Sequence, residues 1–415
     1  MASFIARQPI LDINQNVFAY ELLYRENLQA NMFNNTVNAD EASSKVMVDS
    51  FLDIGINRIT NGKKAFINFT KNLLLNESAT LFPKDSLVIE VLENVEPTPE
   101  IIEKCKMLKK LGYLLALDDF VFSPAFIPLI RVADIIKIDF LNTPHDEIKS
   151  YLKIMKRTRL KYLAEKVETK EVFDQAVSMG FTYFQGYFFS KPIIMKGQDL
   201  NPLKMHYIRI LQLLHKEDLD FNALGVVISQ DVALSYKLLR LVNSAAFGVR
   251  HKIGQVNHAL VYLGEREIRK WISLIIMMGL SSGSSQEVLM LSLIRAKFAE
   301  LTASMFKLSK HKEALFVTGL FSLMDTLMNQ PIHVILDDIH LADPIKQALI
   351  EGEGPYSAPL DLIRAYETGD WAVVNDISQK SNLQPQLLQK AYLDALEWTG
   401  DMNRISLINE PIKRM

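Results

Sequence analysis

The chain has 415 residues, 49% of them hydrophobic, and its 46 Lys and Arg against 48 Asp and Glu leave a formal charge of −2. That length exceeds one ordinary core and suggests two domains, while the near-neutral balance excludes the strongly basic surface of a nucleic-acid binder. The single cysteine, Cys105, excludes a disulfide framework and a cysteine-rich zinc site and suits a reducing cytoplasm, where the protein is expected.

The N-terminus, MASFIARQPILD, has no charged region followed by a long apolar core, and no segment offers 18 uninterrupted apolar residues, so neither a leader nor a membrane anchor is expected. From about 17 to 190, short β-rich runs recur: VFAYELLYR, KAFINFT, SLVIEVLEN, LLALDDF, DIIKIDF, KYLAEKVET and FTYFQGYFFS. Between most of them lie helical stretches such as PEIIEKCKMLKKLGY, where Ile101, Ile102, Cys105, Leu108 and Leu111 share one face. The basic run KIMKRTRLK reads as the wet face of a helix. Strand and helix alternating this regularly predict a parallel sheet, and seven or eight such units predict a closed α/β TIM-like barrel over 1–195. A Pro- and Gly-bracketed link, KPIIMKGQDLNP, follows. Beyond it the β-rich runs vanish, and segments such as DVALSYKLLRLVNSAAF and REIRKWISLIIMMGL predict an all-α domain over 203–400, with WISLIIMMGL as a buried helix.

In a parallel barrel, chemistry sits where the strands end. Those ends carry Glu21, Asn68, Glu90 with Glu93, Asp118 with Asp119, Lys137, Glu165 with Glu168, and Gln185. Each alone is an ordinary strand-end residue, and an Asp-Asp pair often caps a helix or opens a turn. Together they form a set of hard oxygen donors with no histidine or thiolate, the set that suits Mg²⁺ or Mn²⁺. So many acids at one mouth repel one another unless cations neutralise them, and a two-metal site suits attack of water on a phosphodiester.

In order and spacing, the ELL of YELLYR, the Asn of INFT, IEVLEN, LDDF, the KID of IIKIDF, AEKVET and QGYFFSKP resemble the signature segments of EAL domains. The resemblance spans roughly 4–195 and implies a barrel phosphodiesterase that opens cyclic di-GMP to linear pGpG. It further implies that Glu21, Asn68, Glu90 and Asp118 bind one metal, and that Asp118, Asp119 and Gln185 serve a second metal and its water. Lys137 would hold the attacking water or a phosphate oxygen, and Glu165 beside it would accept or orient the proton. Gln8 and Arg25 match substrate-contacting positions, and Glu93 matches the glutamate that braces the loop after the paired aspartates. Three positions depart from the family pattern. DDFVFSP replaces a glycine-rich DDFGTG loop, Leu22 replaces the alanine of the eponymous motif, and Lys166 stands in AEKVE where AEGVE is usual.

The helical half, over about 203–390, resembles HDOD domains through ISQDVALSYKLLRLVNSAAFG and VNHALVYLGEREIRKW. These look like HD-type metal phosphohydrolases without their ligands. Where a working HD helix reads GLLHDIG, 319–325 read GLFSLMD, so Ser322 and Leu323 stand at the His-Asp positions and no metal is expected there. Asn243 and Ser244 read as a helix end, and His206, His215 and His258 as surface or core residues. Two functional readings follow. One is a cyclic di-GMP phosphodiesterase regulated by a non-catalytic, protein-binding HDOD domain, within bacterial switches between motility and biofilm. The other is a weak or inactive cyclic di-GMP receptor or scaffold signalling through HDOD contacts; a homodimer is open in both.

Overall fold

The computed structural model describes residues 4–25, 55–155, 159–186, 202–216, 218–244, 247–249, 251–280, 286–328, 330–337, 339 and 341–404, excluding the side chains at 4, 24, 25, 202–205, 403 and 404. Two compact units emerge: Met1–Lys191 with Arg364–Leu393, and Pro192–Ile363 with Asp394–Met415. Most of the expected link at 191–202 lies outside the described residues.

The first unit holds a closed barrel of eight strands in sequence order. These are β1 (Phe4–Asp12), β2 (Val17–Arg25), β3 (Lys64–Phe69), β4 (Leu87–Val91), β5 (Leu114–Leu117), β6 (Ile135–Asp139), β7 (Lys161–Glu165) and β8 (Tyr183–Phe184). All seven β-rich runs of the sequence become strands, but the sheet is not wholly parallel. The strand before those runs, β1, lies antiparallel to both β2 and β8, while every other pair is parallel. The reason is the connection. Parallel neighbours need a crossover of a dozen or so residues, whereas β1 reaches β2 through a short turn in which Asp12 Oδ1 accepts the amides of Asn14 and Asn16, both at 2.8 Å.

One residue per strand fills the barrel as an apolar layer: Ile10, Ala19, Phe66, Val88, Ala116, Ile135, Leu163 and Tyr183. Side chains alternate across a strand, so the residue two further along faces inward again. Threonines that follow strands or loops start the outer helices. Thr70, Thr98 and Thr169 each accept an amide one turn into Lys71–Leu75, Pro99–Leu111 and Lys170–Ser178. Helix Pro99–Leu111 buries Ile101, Cys105 and Leu108, but Leu111 in its last turn is exposed, just before Gly112 closes the helix at φ 96°.

In the second unit, the described secondary structure is helical. Asp220 and Asp231 cap Phe221–Ser229 and Val232–Val242. Residues 271–280, the most apolar run of the chain, are all buried in the second half of Val256–Leu280, after a break at Gly264. Helices Gln286–Thr302 and Lys312–Phe321 approach closely at Gly319, where a Cβ would lie 2.5 Å from the backbone of Arg295. No described helix is long and apolar enough to cross a membrane.

Candidate active site at the barrel mouth

Directly above the apolar layer stands a ring of eight polar residues, two positions further toward the mouth on each strand line. Ile10 gives Gln8, because β1 runs the other way; Ala19 gives Glu21, Phe66 Asn68, Val88 Glu90, Ala116 Asp118, Ile135 Lys137, Leu163 Glu165 and Tyr183 Gln185. Eight of the predicted site residues therefore share one layer, and the cause is the strand period acting on eight strands at once.

Lys137, 1% exposed, is the centre of that ring. Its Nζ donates to Asp118 Oδ1 at 2.8 Å and to Glu90 Oε1, and pairs with Glu165 Oε1 at 2.9 Å and Glu21 Oε2 at 3.4 Å. One ammonium among four carboxylates cannot compensate them all. Burial pushes Lys137 toward neutrality, but Glu21, Glu90, Glu165 and Asp118 outweigh it and hold the ammonium well above the usual lysine range. Burial likewise pushes Asp118 up, yet Lys137 and neighbouring hydrogen bonds keep it below the usual carboxylate range. For Glu90, burial wins over Lys137, and Glu21 and Asp118 add to it, so its carboxyl sits well above that range. Glu165 is pushed up to about 7, first by burial, against Lys137 and together with Glu21 and Asp118. Asp119, more exposed, is also raised, by burial and by Asp118.

The remaining ring members connect through amides. Gln185 Nε2 donates to Glu21 Oε2 at 2.7 Å and to Gln8 Oε1 at 3.0 Å. Asn68 Oδ1, Glu90 Oε2, Glu165 Oε2 and Gln185 Oε1 are buried with no hydrogen-bond partner. Buried acceptors are normally satisfied, so four left open at one mouth need an external partner. Ligand oxygens of Asp118, Asp119 and Glu165 lie within 4.8 Å of one another. An all-oxygen set, negative in excess and short of donors, fits hard divalent cations; the residues that could hold them are Glu21, Asn68, Glu90, Asp118, Asp119, Glu165 and Gln185.

Several predicted residues sit outside the ring. Asp119 follows β5 at φ 40°, a left-handed conformation that turns the chain between two adjacent carboxylates. Glu93 is exposed and lines a cavity of about 250 Å³ together with Asp118, Asp119, Phe120, Val121 and Phe126. Glu168 is exposed beyond β7. Arg25 ends β2, and its side chain lies outside the described residues. Lys166 adopts φ 54°, the region in which a glycine would be unstrained, and its ammonium points outward to Asp139 rather than back at Glu165. Asp139 was not among the predicted residues; it ends β6 in register with Glu165 and also accepts the amides of Leu141 and Asn142. The KID run that contains it was the available signal.

The altered loop is an aromatic cluster. Phe120 packs edge-on to Phe122 and Phe126 at ring-centre distances of 6.4 and 6.1 Å, and Phe122 packs against Tyr151 at 6.0 Å, while Val121 is 70% exposed. In the helical unit, Ser322 donates to Gly319 O at 2.7 Å and accepts from Arg295, and Leu323 is buried. Both positions that the sequence set against a His-Asp pair are thus engaged in local hydrogen bonds or packing. Asn243 ends Val232–Val242, bonding Leu239 O and both backbone groups of Ile253, as a structural cap.

A barrel with an acidic, lysine-centred mouth, followed in the chain by a helical domain, defines a class, and comparison with known proteins agrees. Family models match at 16–192, described as EAL domain, and at 200–329, described as HDOD domain. The chain is 39% identical over 411 residues to "Uncharacterized protein YuxH" of Bacillus subtilis, covering 97% of this chain and 99% of that one. It is 35% identical over 405 residues to "Cyclic di-GMP phosphodiesterase CdgJ" of Vibrio cholerae, covering 97% and 94%. Among solved structures it is similar to the EAL domain of Mycobacterium smegmatis DcpA, at 21% identity and TM-score 0.37 over 45% of this chain and 91% of that one. The chain belongs to the family that joins an EAL domain to an HDOD domain.

Proposed function

We propose that the barrel hydrolyses cyclic di-GMP to linear pGpG with divalent cations at its mouth, and that the HDOD domain regulates it through a protein partner. The observation that carries this reading is the group of four unpartnered buried oxygens around the Asp118–Asp119–Glu165 cluster. The relative from Vibrio cholerae, named for that activity and matched along nearly the whole chain, supports the same substrate.

In this reading Glu21, Asn68, Glu90, Asp118, Asp119 and Gln185 hold two ions, Mg²⁺ or Mn²⁺. Such ions supply Lewis acidity and neutralise charge on a phosphodiester. The chain's own residues do the rest. Lys137 fixes the attacking water or a phosphate oxygen. Glu165, its carboxyl pushed up to about 7 by burial, takes the water's proton. Gln8 and Arg25 hold the dinucleotide, and Glu93 braces the loop after Asp119. The water oxygen forms the new bond to phosphorus, the bond to the 3′-oxygen breaks, and a proton goes to that oxygen. The domain division 1–195 and 203–400 belongs to the same proposal, except that Arg364–Leu393 lies in the barrel's compact unit.

A receptor or scaffold is the second reading, favoured by the aromatic packing of the DDFVFSP loop. One assay separates the two: purified protein with cyclic di-GMP and Mn²⁺ or Mg²⁺, with pGpG followed by chromatography and binding by calorimetry. Metal-dependent pGpG supports the enzyme; binding without pGpG overturns it in favour of the receptor.

A further inference from the structure

The side-chain amide of Gln8 is held at both ends. Its Nε2 donates to the main-chain carbonyl of Thr368 at 3.1 Å, and its Oε1 accepts from Gln185 at 3.0 Å. A main-chain carbonyl only accepts, so Gln8 must present nitrogen to Thr368 and oxygen to Gln185. Gln185 then spends its two amide hydrogens on Gln8 and Glu21, and its Oε1 is left buried and open. The orientation of a metal-site amide is thereby tied to a residue 360 positions from Gln8 in sequence.

Packing determines where that carbonyl sits. Gly369 follows at φ 69°, and a Cβ there would lie 2.9 Å from Leu23 Cδ1 of β2. Asp370 then caps Trp371–Lys380 through the amide of Val373 at 3.2 Å. Behind the turn, Tyr366 is fully buried against Trp371 and Tyr392, with ring centres 5.2 and 4.5 Å away. Arg364–Leu393 is part of the same compact unit as the barrel, although it follows the HDOD segment in sequence.

We infer that Arg364–Leu393 is a positioning element of the barrel site: the Thr368 carbonyl, seated by Gly369 against Leu23, sets the Gln8 amide and through it the Gln185 amide. Its consequence for cation binding rests on the metal reading proposed above. The site is therefore complete only with a segment outside the EAL-matched residues.

The test uses the full chain with Gly369→Val, the milder Gly369→Ala, and Gly369→Val combined with Leu23→Ala to restore room. Exposed Asp376→Ala on the adjacent helix is the control. Two quantities are read: Mn²⁺ affinity by calorimetry, and the ¹⁵N side-chain amide resonances of Gln185 in metal-free protein, assigned by their loss in Gln185→Glu. Expected are displaced Gln185 resonances and Mn²⁺ affinity reduced about tenfold or more in Gly369→Val, a smaller effect in Gly369→Ala, recovery with Leu23→Ala, and no change in Asp376→Ala. Unmoved Gln185 resonances in folded Gly369→Val, or in Gly369→Ala where the valine variant does not fold, overturn the inference. If wild-type protein binds no Mn²⁺, the metal reading falls, and the metal-free resonances still decide whether the segment positions Gln185.

Discussion

At the barrel mouth, Asn68, Glu90, Glu165 and Gln185 each keep a buried oxygen without a partner. In the helical unit, Ser322 is closed on Gly319 and Arg295, Asn243 on Leu239 and Ile253, and His215 on Ser273, and the two buried side-chain polar atoms left without a hydrogen bond among the described residues there, His206 Nε2 and Ser292 Oγ, belong to different helices. The difference separates a cluster of open acceptors from hydrogen bonds already complete. An open acceptor costs about 1–3 kcal/mol to bury, and a fold retains several at one place where a ligand completes them. A closed set of hydrogen bonds asks for nothing further.

Breaking the open side of that contrast has the largest expected effect. Asp118→Ala removes a carboxylate from both the lysine-centred ring and the acidic cluster. Loss of several kcal/mol of charge stabilisation predicts a fall in pGpG formation of roughly a thousandfold, with calorimetric loss of Mn²⁺ binding; unchanged turnover contradicts the site assignment. Next is Gly186→Ala. At φ 142°, its Cβ would lie 2.1 Å from the carbonyl oxygen of Val167, so the chain after Gln185 must move. A stability loss of about 3 kcal/mol is expected, measured by urea unfolding, along with weaker Mn²⁺ binding; a normal midpoint refutes the close approach.

The closed side is sharpened by pH. His215, half-buried under Phe321 and bonded to Ser273, is held down to about 3 by burial and by Arg269. Its unfolded pKa is about 6.5, so the unfolded chain binds the extra proton first. This contribution to stability is fully present above pH 6.5 and is lost as pH falls toward 3, by at most about 1.4 kcal/mol per unit. Denaturant unfolding at pH 7 and pH 5 should show the loss, and His215→Gln should flatten it. The smallest effect belongs to Ser322→Ala: about 1 kcal/mol of stability, with pGpG turnover unchanged. A collapse in rate there would show a working site where the hydrogen bonds look closed.

Much of the barrel was legible because the strand period places each polar residue two positions after an apolar one, on a run rich in β-branched and aromatic residues. That holds for β2 to β8, and so for Glu21, Asn68, Glu90, Asp118, Lys137, Glu165 and Gln185. Strand β1 was not legible. FIARQPILD has a proline near its middle and a buried Arg7, whose burial makes sense only beside distant partners, the Ile59 carbonyl and the Tyr20 ring. The outward turn of Lys166 depends on Asp139, 27 residues earlier, and the Gln8–Thr368 link depends on packing that no local pattern encodes.

The discontinuity of the first unit has a consequence for synthesis. Thr368 leaves the ribosome 360 residues after Gln8. At about 5–20 residues per second, a newborn barrel waits roughly twenty seconds to over a minute for its last contact. Through that interval the HDOD chain is made while the mouth is unfinished. A chain broken off between residues 186 and 364 carries every acidic residue of the ring and lacks the Thr368 carbonyl that the Gln8 amide bonds, so on the inference drawn above such a product is made with its Gln185 amide unseated.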